Sequence, residues 1–302
     1  MIRTQMPPNP AATLQPRDDP YHAARQALVR RINADRAATG LEAVEFDMLA
    51  SQVSDQHCQE MAGNGYLSHW NLRGLLPYHR YHFAGGRDHL QENLSRLLVF
   101  STQPNPISTA PEDVEGHLLN SHQRFMDESP PLDGHRKNVL DPDHTHVGIG
   151  LAVSGGTFTM GEEFLNRYVE LEPLPESLPR GSLRIEGEVL NKEFGPYYCV
   201  LFHEGWPPAR TVEELNRTYA YEEMTGEIAG RVPPWEMSFN AQTGRFRINL
   251  SYKALGPGYY HLVLWARRPA RSIPYRLGSA GAYRVDTAEG VPCAGWIFRH
   301  ES

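Results

Sequence analysis

The sequence predicts an α+β layered domain followed by a small all-β sandwich. Helical patterns precede a pair of strand-like runs in the first half, and the second half repeats short β-rich runs beyond a proline-spaced connector. A length of 302 residues accommodates two such cores, because a compact core usually serves roughly 100 to 200 residues.

Residues 1–20 hold five prolines and few large apolar groups, and read as a flexible N-terminal arm. From Tyr21 onward Ala24, Ala27, Leu28 and Ile32 recur at helical spacing until Gly40 supplies a stop. Asp47 is placed to cap a second helix through Leu49, Ala50, Val53, Cys58 and Met61, which ends at Gly63 and Gly65. Residues 69–91, rich in His, Gly and Arg, read as a loop, and Val114, Leu118 and Phe125 restore the helical spacing over 114–126. HVGIGLAV at 146–153, the turn Ser154-Gly155-Gly156 and the β-branched run to Val169 predict a hairpin. The first domain is therefore placed at 21–170.

Pro173, Pro175 and Pro179 space an extended linker at 171–181. In 182–302 the runs at 183–190, 197–203, 245–252, 259–268 and 282–285 alternate or are β-rich, as in an immunoglobulin-like or fibronectin-like sandwich. TVEELNRTYAYEE, from Thr211, breaks this pattern and reads as a short helix or an ordered loop.

A composition 40% hydrophobic and 22% charged belongs to a folded chain, and a formal charge of -7 offers no general attraction for nucleic acid. The basic group Arg267, Arg268 and Arg271 reads as a solvated edge. No apolar run approaches the roughly 20 residues that span a bilayer, and residues 1–20 lack the apolar core of a signal peptide. Either the protein is intracellular or its export signal has been removed. Cys58, Cys199 and Cys293 are too few for a disulfide scaffold; each reads as a buried thiol, with a Cys199–Cys293 pair the alternative.

Ten of the 14 histidines fall between His57 and His146, a bunching that invites metal or acid–base chemistry, although none shows the tight spacing of a metal motif. Of Glu162 and Glu163, consecutive in a strand, one at most reaches any given face. Asn93-Leu94-Ser95 and Asn216-Arg217-Thr218 match the glycosylation pattern, which is short enough to arise by chance.

Four blocks carry a more specific signal. Asn33 and Arg36 precede Phe46-Asp47, and a second helix closes on Gly65-Tyr66-Leu67-Ser68-His69. Gln91-Glu92-Asn93-Leu94 follows, then Gly134-His135-Arg136-Lys137-Asn138-Val139-Leu140 with Val147-Gly148-Ile149-Gly150. In this order over about 150 residues they resemble the CAP superfamily, which groups cysteine-rich secretory proteins, venom antigens, plant pathogenesis-related proteins and many bacterial domains. Gln91 in place of the usual Gly, Phe125 in place of the usual Trp and the lack of disulfides resemble its bacterial members.

The resemblance implies an α-β-α layered domain with a groove tetrad of His69, Glu92, Glu128 and His135, supported by Ser68, Asn93 and Asn138. Glu128, three residues after Phe125, has Asp127 as a rival. Two imidazoles with neighbouring carboxylates would suit Zn²⁺ or another divalent metal, with His69 and His135 as ligands; alternatively, the four simply hydrogen-bond one another and tie loops together. The family implies an extracellular or cell-envelope, non-enzymatic binding module for a lipid, a small molecule or a cell-surface partner. A metal-dependent hydrolase of peptides or esters is the alternative.

Overall fold

The computed structural model describes residues 19–99, 107–268, 275–277, 283–285 and 287–301. Most of the expected arm and Arg271 lie outside them. Two compact units emerge. The first takes the chain up to Gly86, then Leu90–Phe164 and Ala209–Tyr219; the second takes Arg87–His89, Leu165–Pro208 and the chain from Ala220.

In the first unit α1 (His22–Ala38) buries Ala24, Leu28, Val29 and Ile32 at the spacing read from the sequence. The next helix, α2 (Met48–Asn64), starts where the Asp47 carboxylate accepts from the Ala50 N–H at 2.7 Å, and stops at Gly65, whose φ of 75° is left-handed. Two elements replace the loop expected at 69–91: α3 (Pro77–Phe83), opened by a proline in its first turn, and the start of β2 (His89–Leu98). Neither shows a clean period, since α3 is a short run of aromatic and histidine residues and β2 is largely buried on both faces. Next come α4 (Pro111–Met126), longer at its start than expected, and the short α5 (Gly134–Val139).

The predicted hairpin, β3 (His146–Ser154) and β4 (Thr157–Asn166), is the centre of a four-stranded sheet ordered β1-β3-β4-β2, in which β1 (Glu45–Phe46) runs parallel to β3. Helices cover both faces. Val147, Ile149 and Leu151 of β3 with Phe158, Met160 and Phe164 of β4 share one core with α1 and α4, including Leu28, Ile32, Val114 and Leu118. Ala152 and Leu94 join Cys58, Met61 and Tyr66 in another, beside α2. The fold class is thus the α-β-α layering expected.

Hydrogen bonds explain two residues of the first block. The Asn33 amide both donates to Val44 O at 2.9 Å and accepts from Val44 N–H at 2.8 Å. Arg36, fully buried, donates to the carbonyls of Glu42, Val139, Asp141 and His144, so the end of α1 fixes both the approach to β1 and the exit of α5.

The second unit contains two four-stranded sheets. One is ordered β5-β6-β10-β9, from Val169–Leu171, Ser182–Val189, Arg245–Ser251 and Ser238–Phe239. The other is β14-β11-β7-β8, from Val291–His300, Gly258–Arg267, Gly195–Gly205 and Glu227–Val232. Leu183, Ile185, Ile248 and Leu250 of the first sheet and Cys199, Leu201, Leu262, Leu264 and Phe298 of the second share one core, the arrangement of a sandwich. A two-stranded ribbon, β12 (Tyr275–Leu277) with β13 (Tyr283–Val285), completes the strands described. Leu174 and Leu178, within the proline-spaced 171–181, are buried in the shared core. All three cysteines are buried and free, so the Cys199–Cys293 disulfide is not formed.

Close helix–sheet approach sets a sharp test. A Cβ on Gly148 would lie 2.5 Å from Ala50 Cβ and 2.6 Å from Ser51 N, both in α2, whereas one on Gly116 in α4 would meet nothing within 4 Å. Gly148→Ala should lower the unfolding free energy by about 1–3 kcal/mol in chemical denaturation, and Gly116→Ala should be neutral or stabilising by up to about 1 kcal/mol.

Candidate functional site

The four tetrad residues assemble as two imidazole–carboxylate pairs. His69 Nδ1 lies 2.8 Å from Glu92 Oε2, and His135 Nδ1 lies 2.5 Å from Glu128 Oε1. Glu128, rather than Asp127, is the acid that meets His135. Asp127 instead accepts from the Gln123 side chain.

The first pair is buried. Burial, reinforced by the nearby Arg80 guanidinium, pulls the His69 pKa down to about 4, so its imidazole is neutral at neutral pH and the contact is an Nδ1–H donation to Glu92 rather than an ion pair. Arg80, from α3, grips the other Glu92 oxygen and also donates to the His69 carbonyl at 2.7 Å. One guanidinium therefore sets both the acid and the backbone that carries its imidazole partner.

Behind Glu92 sits Glu163 of β4, also fully buried, with the Ser54 hydroxyl of α2 as a further polar neighbour. Desolvation drives the Glu163 pKa well above the ordinary carboxylate range, and the Glu92 charge adds to this. Two neighbouring carboxyl groups in a dry interior oppose each other's ionisation. Burial pushes the Glu92 pKa up as well, but Arg80 pulls it back down, so Glu163 is the harder of the two acids to ionise. His57 of α2 belongs to the same neighbourhood. It is fully buried and held far below its ordinary pKa by desolvation; its Nε2–H donates to Ser68 O at 2.7 Å.

The second pair is half exposed. His135, in the first turn of α5, stacks on Phe125 with centroids 4.5 Å apart, and Glu128 accepts from the His135 backbone N–H at 3.0 Å as well as from its ring. Glu128 thus satisfies an orphan amide at the start of α5 while orienting the imidazole. The supporting residues have clear tasks. Asn93 donates to His135 O at 3.1 Å and to Glu162 Oε2 at 3.2 Å, and accepts from Asn138 Nδ2 at 2.9 Å. Ser68 Oγ accepts from Trp70 N–H at 3.1 Å. Asn93, 2% exposed, is in no position to be glycosylated in the folded chain.

Glu162 and Glu163 do take opposite faces, as consecutive strand residues must, but both are buried because helices cover both faces. Glu162 accepts from His122 Nδ1 at 2.7 Å, and His122 Nε2 meets Asp35 at 3.1 Å. Burial works against the charged ring, yet the two carboxylates prevail and hold His122 above its ordinary pKa. Arg80, His122 and His57 were not singled out from the sequence; only the tally of histidines touched on the last two.

Among the described residues no three His, Cys, Asp or Glu side chains are grouped so as to hold a metal ion. Both tetrad carboxylates face imidazole Nδ1 atoms, the place of groups that orient metal ligands rather than of the ligands themselves. A divalent ion would then have the two Nε2 atoms as its protein donors.

The raised pKa of Glu163 makes stability depend on pH. Its pKa is raised on folding, so the stabilisation is complete below the unfolded value near 4.5 and is lost as pH rises toward the folded value. Wild-type stability should fall over this alkaline-going interval by up to about 1.4 kcal/mol per pH unit, and Glu163→Gln should flatten the fall in denaturation series across pH.

Residues 29–165 match the model of CAP, the Cysteine-rich secretory protein family. Over 148 residues the chain is 25% identical to the Uncharacterized protein YkwD of Bacillus subtilis (strain 168), a match covering 48% of each. The chain spans about half the length of the curated relatives it matches. Among solved structures, an outer surface protein from Borrelia burgdorferi shows 17% identity and a TM-score of 0.38, covering 48% of this chain and 93% of that one. An extracellular protein containing a SCP domain from Bacillus anthracis str. Ames shows 20% identity and a TM-score of 0.37, covering 52% of this chain and 45% of that one. The segment bearing both imidazole–carboxylate pairs, residues 29–165, is a CAP domain of the cysteine-rich secretory protein family.

Proposed function

We propose that the CAP domain is a non-enzymatic binding module whose contact groups are the imidazoles of His69 and His135. The observation that carries this is the matched pairing: each ring directs Nδ1 at a glutamate. A proton held on Nδ1 leaves the lone pair on Nε2, ready for a donor group of a small ligand or for a divalent cation such as Zn²⁺. Buried Arg80, Glu92 and Glu163 around His69 favour a polar ligand or cation here over an acyl chain. Membership of a family of secretory proteins supports an extracellular or cell-envelope location, where such a ligand or a cell-surface partner would be met.

Hydrolysis is a second reading, favoured by one feature: a neutral imidazole oriented by a carboxylate is the arrangement a general base requires. It predicts turnover of an ester or peptide that His69→Ala abolishes.

The binding reading is tested by calorimetric titration with Zn²⁺. Saturable binding should weaken about 10–100-fold in Glu128→Gln and disappear in His69→Ala and His135→Ala. A flat wild-type titration removes the cation. If a library of small polar compounds then shifts neither imidazole in NMR spectra, the assignment of the contact site falls with it.

A further inference from the structure

Residues Ala209–Tyr219 lie far beyond the family-matched segment in sequence, yet they belong to the first unit. We propose that this segment is a strap that fixes the loop carrying His69, with Asn216 and Thr218 as positioning residues of the His69–Glu92 pair. The inference rests on the reading of His69 as a contact group.

Local chemistry first makes the strap rigid. The turn α6 (Val212–Leu215) is closed by a capping box: the Glu214 N–H donates to Thr211 Oγ1 at 3.2 Å, and the Thr211 N–H donates back to Glu214 Oε2 at 2.7 Å. Leu215 is then fully buried with Cys58, Met61 and Tyr66, which anchors the turn by apolar contact.

From that anchor, polar groups meet the loop on both sides of His69. The Asn216 amide reads the backbone at two points, donating to Gly65 O at 3.2 Å and accepting from the Leu67 N–H at 3.2 Å. Thr218 donates its hydroxyl to Leu215 O at 2.6 Å, which leaves its oxygen to accept from Ser68 at 2.7 Å. Past His69, the Arg210 N–H donates to Leu72 O at 2.9 Å and the Arg210 guanidinium lies 4.8 Å from the Trp70 ring centroid. Backbone or hydroxyl groups at 65, 67, 68 and 72 are therefore held from 209–219, while His57 and Arg80 hold the carbonyls of Ser68 and His69 from within. Such duplication is what a ring needs if its Nδ1–H is to stay on one carboxylate oxygen.

The test uses the full-length protein and needs no ligand, so its failure is distinct from a failure of the binding reading. Amide exchange at Leu67 should be about tenfold faster in Asn216→Ala, and in Asn216→Ala/Thr218→Val the slowly exchanging imidazole Nδ1–H resonance of His69 should be lost while that of His135 persists. Thr218→Ser, which keeps the hydroxyl, should behave as wild type. If the double variant does not fold, Thr218→Val against Thr218→Ser is read by the same His69 resonance. Melting temperatures that fall with the Leu67 exchange rate and the His69 resonance both unchanged, or loss of the His135 resonance together with that of His69, would overturn the proposal.

Discussion

A carboxylate with no exposed surface has to be hydrogen-bonded and neutralised, and the environment of Glu92 follows from that requirement. Its side chain is 0% exposed, and three groups of different chemistry surround it: the Arg80 guanidinium, the His69 Nδ1–H and the neighbouring carboxyl group of Glu163. Each partner comes from a separate element. Arg80 lies in α3, His69 in the loop after α2, and Glu163 in β4 next to the strand that carries Glu92 itself. The demand of one buried charge thus ties a helix, a loop and two strands together, and it places the imidazole as a by-product.

His135 is held by a different logic. Its partner Glu128 is partly exposed and gains most from meeting the backbone amides that begin α5, so the pair rests on the geometry of a helix start rather than on desolvation. Asn93 couples the two systems through the chain, because it follows Glu92 in β2 and donates to the His135 carbonyl. Arg36 closes the far end of α5 by holding the carbonyls of Val139 and Asp141. A ring that stacks on Phe125, with its helix pinned at both ends, keeps its orientation at a surface where solvent would otherwise compete.

Much of this was legible in the residues. Asp47 and Gly65 announce the limits of α2 because caps are local chemistry, and the strict alternation of Arg245–Ser251 announces a strand with one wet face. Part of what escaped reading shares a cause. β2 and most of β14 are buried on both faces, so their sequences lose the period of two by which a strand is recognised. At the site, His69 and Glu92 were found only through a resemblance of motifs. Nothing local marks Arg80, whose role depends on a helix that the composition of 69–91 concealed, and Glu163 was read only as one of two consecutive strand glutamates, with nothing local to show that helices cover both faces of its sheet.

Double coverage of the sheet has a further consequence for how polar residues are used. In an ordinary half-wet strand, one of two consecutive glutamates is solvated without cost; here neither is, and each needs its own solution. Glu162 accepts hydrogen bonds from His122 and Asn93, on the face shared with α4, whereas Glu163 is buried beside Glu92, on the face shared with α2, and its pKa is raised there. Different surroundings at adjacent positions follow from the partners that each face supplies. The face on which two acids lie side by side is the one that leads to His69, so the group whose ionisation is most suppressed by burial lies directly behind that imidazole's carboxylate.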